Sequence, residues 1–243
     1  MKKILIGALL LTGCALPVMA CTGISATAKD GGYVQARTIE WGDSYLPSQY
    51  VVIPCGHEMI SYTPKGMNGA KFRARYGVVG LSIVLKDFVV EGLNEAGLSA
   101  GLFYFPHYGN YPVYDAKQNT RTVADLQLVA WMLSQFSTIE EIKAAMQDIR
   151  VVSVDTTVHW RIGDANGRQV VLEFVDGVPC FYENEIGVLT NSPGFPWQMT
   201  NLNNYVNLYP GGAEAHQLGG VTIFPFGAGS GFQGIPGDVT PPS

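Results

Sequence analysis

From Thr22 onward the apolar and polar positions follow the pattern of short strands cut by turns. Thr22 to Ala28 and Tyr33 to Ile39 flank a turn at Lys29-Asp30-Gly31-Gly32. Gln49 to Ile53 and Glu58 to Thr63 read as a pair around Cys55-Gly56, and Lys71 to Tyr76, Gly77 to Leu85 and Phe88 to Glu91 follow. Asn94-Glu95-Ala96-Gly97 is a turn, and Leu98 to Phe105 is an apolar strand stopped by Pro106.

The period changes at Thr122. Val123, Leu126, Val129, Ala130 and Leu133 recur at helical spacing behind Thr122 as N-cap. Ser137-Thr138-Ile139-Glu140 has the form of a capping box, and Ile139, Ile142, Met146 and Ile149 mark a second amphipathic helix. Strands resume at Thr156 to Ile162, Gln169 to Val175, Pro179 to Glu183 and Val188 to Thr190, with turns at Asp164-Ala165-Asn166-Gly167 and Asp176-Gly177. Phe195 to Val206 is read as helical, weakened by Asn201, Asn203 and Asn204. Two consecutive helices between two sets of strands predict an α layer laid on a sheet.

The start of the chain is of another kind. Met1-Lys2-Lys3, an apolar run from Ile4 to about Ala15 and a small residue at Ala20 form a secretory signal pattern. The run is too short and broken for a stable membrane span. Cleavage after Ala20 places residues 1–20 in the signal and makes Cys21 the first residue of a domain running to Ser243. A terminal α-amine titrates near 7.7 to 8.0, so such a cysteine carries its own general base. Arg37 and Glu40 follow in Gln35-Ala36-Arg37-Thr38-Ile39-Glu40-Trp41; a guanidinium beside a thiol favours the thiolate, and a carboxylate could hold the amine. Leu11-Thr12-Gly13-Cys14 supports a competing cut, as a lipoprotein box that would lipidate Cys14 and leave Cys21 internal. The expected location is therefore exported and periplasmic, with lipid anchoring through Cys14 as the alternative.

Composition narrows the partners. Charged residues make up only 14% of the 243, with 29 Gly and 14 Pro, which fits a strand- and loop-rich globular protein. The net charge is −5, more negative once Lys2 and Lys3 leave, so nucleic acid is not an expected partner. Cys21, Cys55 and Cys180 remain after the signal, an odd number; if Cys55 and Cys180 pair, Cys21 is left over. The four His lie far apart without metal-site spacing, so no metal is expected. The glycine-rich run from Phe226 to Gly234 has the look of a phosphate loop, but Ile235-Pro236 forbids the helix such a loop needs.

Cys21 with Arg37 and Glu40, Leu93-Asn94-Glu95-Ala96-Gly97-Leu98, Val188-Leu189-Thr190-Asn191-Ser192-Pro193 and Gly234-Ile235-Pro236-Gly237-Asp238-Val239 together resemble the choloylglycine hydrolases, the bile salt hydrolases and penicillin V acylases. The resemblance runs in order from Cys21 to Ser243 and is closest to the exported Gram-negative branch. It implies an α+β chain with the four-layer αββα fold of N-terminal-nucleophile hydrolases. It also implies that the fold is incomplete at the C-terminus, because the family's sequence continues beyond Ser243 with a further active-site arginine. By the same resemblance Cys21 is the nucleophile, Arg37 its neighbour, and Asn191 an oxyanion donor. The backbone N–H of Tyr104 is the second donor. Glu40 stands where the family usually has Asp, with one extra methylene before its carboxylate. Trp41, Phe103 and Phe105 are candidates to grip an apolar acyl group. The implied activity is hydrolysis of a linear amide of a conjugated bile salt, or, given Tyr104, of penicillin V. No cofactor is implied, and homo-oligomerisation is left open.

Overall fold

A seven-stranded antiparallel sheet carries the chain up to Ser192. The computed structural model describes residues 21–40, 45–154, 156–205, 209–211, 215–223 and 231–233. The first half supplies β1 (Thr22–Thr27), β2 (Tyr33–Arg37), β3 (Ser48–Ile53), β4 (Glu58–Ile60), β5 (Lys71–Arg73), β6 (Val78–Ile83), β7 (Val89–Asn94) and β8 (Ser99–Tyr104). Next come β9 (Thr122–Ala124), the helices α1 (Leu128–Gln135) and α2 (Ile139–Ala145), and β10 (Arg150–Val152). Then follow β11 (Val158–Gly163), β12 (Gln169–Val175), β13 (Val178–Glu183) and β14 (Leu189–Thr190). The large sheet has the order β13-β12-β11-β8-β7-β6-β3, and a second sheet has the order β14-β1-β2.

The two faces of the large sheet are of different chemistry, and strand alternation is the cause. Ala100 and Leu102, Val158, Trp160 and Ile162, and Val170, Leu172 and Phe174 enter the apolar core with Leu128, Val129, Met132 and Leu133 of α1. The intervening residues face the small sheet and are largely polar. Ser99 donates to Gln35 at 3.1 Å, and Gln169 bonds the Tyr33 hydroxyl. Because β8, β11 and β12 are covered on both faces, they are buried almost throughout. Close approach of the two sheets requires a glycine at position 23. A Cβ there would lie 2.7 Å from Phe103 Cζ and 2.8 Å from Arg161 Nη1.

The Asn94 motif has a structural use. Its Nδ2 donates to Leu133 O and Phe136 O at 2.8 Å each, while its Oδ1 accepts from Ala96 and Leu98 N–H. One side chain thus closes the turn and ties the end of α1 to the sheet.

Several elements differ from the sequence expectation. Gln49 to Ile53 does not pair with Glu58 to Thr63: β3 pairs with β6, and β4 with β5. Thr122 is no N-cap, since residues 122–124 run parallel to β10 and the α-helix begins only at Leu128. The capping box is one residue later than read, with Thr138 accepting from Glu141 N–H at 3.2 Å and the Glu141 carboxylate reaching back to Thr138 N–H. Cys55 and Cys180 are not bonded to each other.

Residues from Pro193 form a separate unit. It contains α3 (Phe195–Asn201), a 3-10 turn at Leu202–Tyr205, and the strand pairs β15 (Tyr209–Gly211) with β18 (Gly231–Gln233) and β16 (His216–Leu218) with β17 (Val221–Ile223). Most of the glycine-rich run and the Gly234–Val239 segment lie outside the described residues, as do residues 1–20 and Trp41.

Candidate active site

Cys21 stands directly before β1, the middle strand of the small sheet, and is 5% exposed. It has the same parity as Gly23, whose face meets the large sheet, and this is why it is buried. The start of β1 is pinned from one side: Thr22 N–H donates to Thr38 Oγ1 at 3.2 Å, and Thr38 N–H to Thr22 O at 3.0 Å. On the other side Thr22 pairs with Thr190 of β14. Continuing that antiparallel register by one residue sets Asn191 across from Cys21. Three segments distant in sequence therefore converge on the thiol.

Cys21 opens on a cavity of about 220 Å³ lined also by Arg37, Leu102, Tyr104, Leu126 and Val158. Its wall is mostly apolar. Arg37 enters through a gap in the large sheet. The β7–β8 ladder runs only from Leu93↔Ser99 to Glu91↔Gly101, so the two strands part beyond it. Arg37 Nη1 fills the opening, donating to Leu102 O and to Val90 O (3.4 Å), while Nε donates to Thr38 O at 3.2 Å. Its guanidinium lies 4.1 Å from the Phe103 ring centre.

Beneath it lies a charge cluster that the sequence did not announce. The Glu91 carboxylate is 3.5 Å from Arg37 Nη1 and 3.0 Å from Arg161 Nη2. Arg161 is fully buried and also donates to Ile24 O and Ala36 O. Two guanidiniums against one carboxylate leave a net positive charge under the cavity floor. The only sequence signal was two charged residues, Glu91 and Arg161, inside otherwise apolar strands.

The other expected site residues are placed as follows. Tyr104, the last residue of β8, lines the cavity. Phe103 and Phe105 do not: strand alternation turns them to the opposite side, into the layer between the sheets, where they are 0% and 1% exposed. As placed, neither ring is among the residues lining the cavity beside Cys21. Glu40 is exposed and makes no ion pair among the described residues. Also among the described residues, no cluster of His, Cys, Asp and Glu is arranged to hold a metal, and no helix is long and apolar enough to cross a membrane.

Two face-to-face antiparallel sheets, helices on an outer face and a cysteine opening the middle strand of one sheet give the fold of the N-terminal-nucleophile hydrolases. The chain belongs to the choloylglycine hydrolase family of linear amide C–N hydrolases, whose family model matches residues 21–243. It is 32% identical over 232 residues to a bile salt hydrolase/transferase of Clostridium perfringens, covering 92% of this chain and 69% of that protein. Among solved structures it resembles a mutant conjugated bile acid hydrolase from Clostridium perfringens, with TM-score 0.73 and 30% identity over 91% of this chain and 68% of that one. A penicillin V acylase from Agrobacterium tumefaciens is similar with TM-score 0.65 and 28% identity, covering 76% and 56% of the two chains.

Proposed function

We propose that removal of residues 1–20 makes Cys21 the first residue and the nucleophile of a linear-amide hydrolase. The observation that carries this reading is the burial of Cys21 beside a cavity, between Arg37 and strand β14, which ends at Thr190, the residue before Asn191. The family match beginning at Cys21 supports it. In this reading the free α-amine takes the thiol proton and the sulfur attacks the substrate carbonyl. The Asn191 side-chain amide and the Tyr104 backbone N–H donate to the oxyanion. The amine product leaves with the proton, and water then hydrolyses the thioester to regenerate the thiol. Arg37 supplies fixed positive charge beside this chemistry. Glu40 is the carboxylate available to the α-ammonium; because it is exposed, its loss is expected to cost less than that of Arg37 or Asn191.

The favoured substrates are glycine- and taurine-conjugated bile salts, on the identity and structural likeness to bile acid hydrolases. Penicillin V is the second reading, favoured by Tyr104 and by the likeness to a penicillin V acylase. Turnover of taurocholate, glycocholate and penicillin V by the processed protein separates the two. Cys21→Ala is expected to abolish turnover, and full activity in that variant would end the mechanism. Asn191→Ala is expected to lower kcat by roughly 10²- to 10³-fold. Export to the periplasm belongs to the same proposal. The mass of the natural N-terminus tests it: a free Cys21 supports the enzyme, and a diacylglyceryl group on Cys14 supports a lipoprotein that binds amphipathic ligands.

A further inference from the structure

A buried imidazole touches a sequence neighbour of each of the two proposed oxyanion donors. His159 of β11 is fully buried between the sheets. Its Nε2 lies 2.9 Å from Thr190 O, the residue before Asn191. Its ring stacks on Phe105, the residue after Tyr104, with centroids 4.3 Å apart and planes 5° from parallel. On its other side Nδ1 is 2.9 Å from Glu173 Oε1, on the neighbouring strand β12.

The hydrogen-bond chemistry fixes the protons. A backbone carbonyl only accepts, so Nε2 must carry hydrogen. A second proton must then lie between Nδ1 and Glu173, as imidazolium against carboxylate or neutral ring against carboxylic acid. Either way the pair has no net charge and the ring is locked in one orientation. Breaking one side of a buried pair costs far more than its presence gains, so the ring does not swing away. A group held on three sides is suited to fixing the spacing of the elements it touches.

We propose that His159, locked by Glu173, is a positioning residue that sets the separation of the Asn191 side chain and the Tyr104 backbone N–H. The proposal rests on the function assigned above, in which those two groups hold the oxyanion. A misplacement of about 1 Å in such a pair costs on the order of 10²-fold in rate. His159 reaches no reacting atom, so its effect falls on kcat and leaves the thiol itself unchanged.

The test uses the processed protein with His159→Phe combined with Glu173→Gln, which keeps a ring against Phe105 without stranding a buried carboxylate. His159→Gln in the same Glu173→Gln background, which retains a donor for Thr190 O, is the conservative comparison. The double variant is expected to lower kcat by about 100-fold with KM within about twofold. Alkylation of Cys21 by iodoacetamide, which forms no oxyanion, stays within about twofold, and His159→Gln recovers about tenfold of the loss. Unchanged kcat overturns the proposal, as does a fall in kcat matched by the alkylation rate. If Cys21→Ala still turns over amide, or the parent turns over none, the assigned function fails instead. Positioning is then read without activity, from the Asn191 side-chain amide resonances. Their displacement in the double variant upholds the proposal, and their coincidence with the parent's overturns it.

Discussion

Asp125 is a buried group whose titration reaches physiological pH. It is fully buried, and burial pushes its carboxyl from 3.8 to about 7. Oδ1 accepts from Leu126 N–H at 2.8 Å and Val154 N–H at 3.2 Å, and these bonds with the Ser153 side chain hold the pKa back only partly. The folded protein therefore binds a proton between about pH 4 and 7 that the unfolded chain has released. This contribution to stability is full below the unfolded value, is lost as pH rises to about 7, and stays lost above it. Asp125→Asn keeps an acceptor without the charge. It is expected to reduce by a few kcal/mol the stability lost between pH 5 and pH 8, measured by urea unfolding at both values. An equal loss in parent and variant would count against it. Gly23 yields a second residue-level prediction. The added methyl of Gly23→Ala meets Phe103 and Arg161, and both are fully buried and held, so neither can give way. Overpacking of this kind costs about 1 to 3 kcal/mol and should lower the thermal midpoint by several degrees.

Elements were legible wherever local chemistry decides them. Strand β12 falls at Gln169–Val175 as read, because Asp176-Gly177 dictates the hairpin after it. Both residues take positive φ, 51° and 79°, in a two-residue turn between Val175 and Val178, which only such a pair adopts easily. Helix α2 was legible for the same reason, since its capping box is local. Thr138→Ala removes that cap and is expected to cost about 1 kcal/mol, or about 2 to 4 °C in the thermal midpoint, read by circular dichroism. Where a distant partner decides, the sequence is silent. Thr122 to Ala124 has helical spacing but is drawn into parallel pairing with Arg150 to Val152. Phe103, Tyr104 and Phe105 are consecutive aromatics in the sequence, yet alternation sends Tyr104 to the cavity and its neighbours to the layer between the sheets. Cys21 and Arg37 were singled out by their own chemistry, and Asn191 by a resemblance. Glu91, Arg161 and His159 acquire meaning only when the second sheet lies over them.

At the scale of the whole molecule the small sheet covers much less than the large one offers. Among the described residues of the unit up to Ser192, its side chains meet β8, β11, β12 and, through Arg37, Val90 and Glu91 of β7, while side chains on the same face of β3 and β6 stay exposed. The register of that face sets Val52, Val79 and Leu93 in one row across three strands, and Tyr50, Leu81 and Glu91 in the next. Tyr50 is 90% exposed, Val52 76% and Val79 52%, beside a groove of about 650 Å³ shared with Val34 and Gln35 of β2. An apolar strip of this kind, ending in the edge strand β3, is the type of surface that recruits other chains. The processed protein is therefore expected to bind an apolar dye such as ANS and to self-associate as its concentration rises. Tyr50→Lys with Val79→Lys places two like charges on the strip without entering the core. Both responses should fall in that variant, while its unfolding free energy stays within about 1 kcal/mol of the parent, twice the usual limit for one surface change. The physical reason is that neither side chain contributes to the apolar core on the α1 side of the sheet. A parent that stays monodisperse and dark with ANS would mean that this face is covered in solution. A large loss of stability in the double variant would mean that the strip belongs to the core.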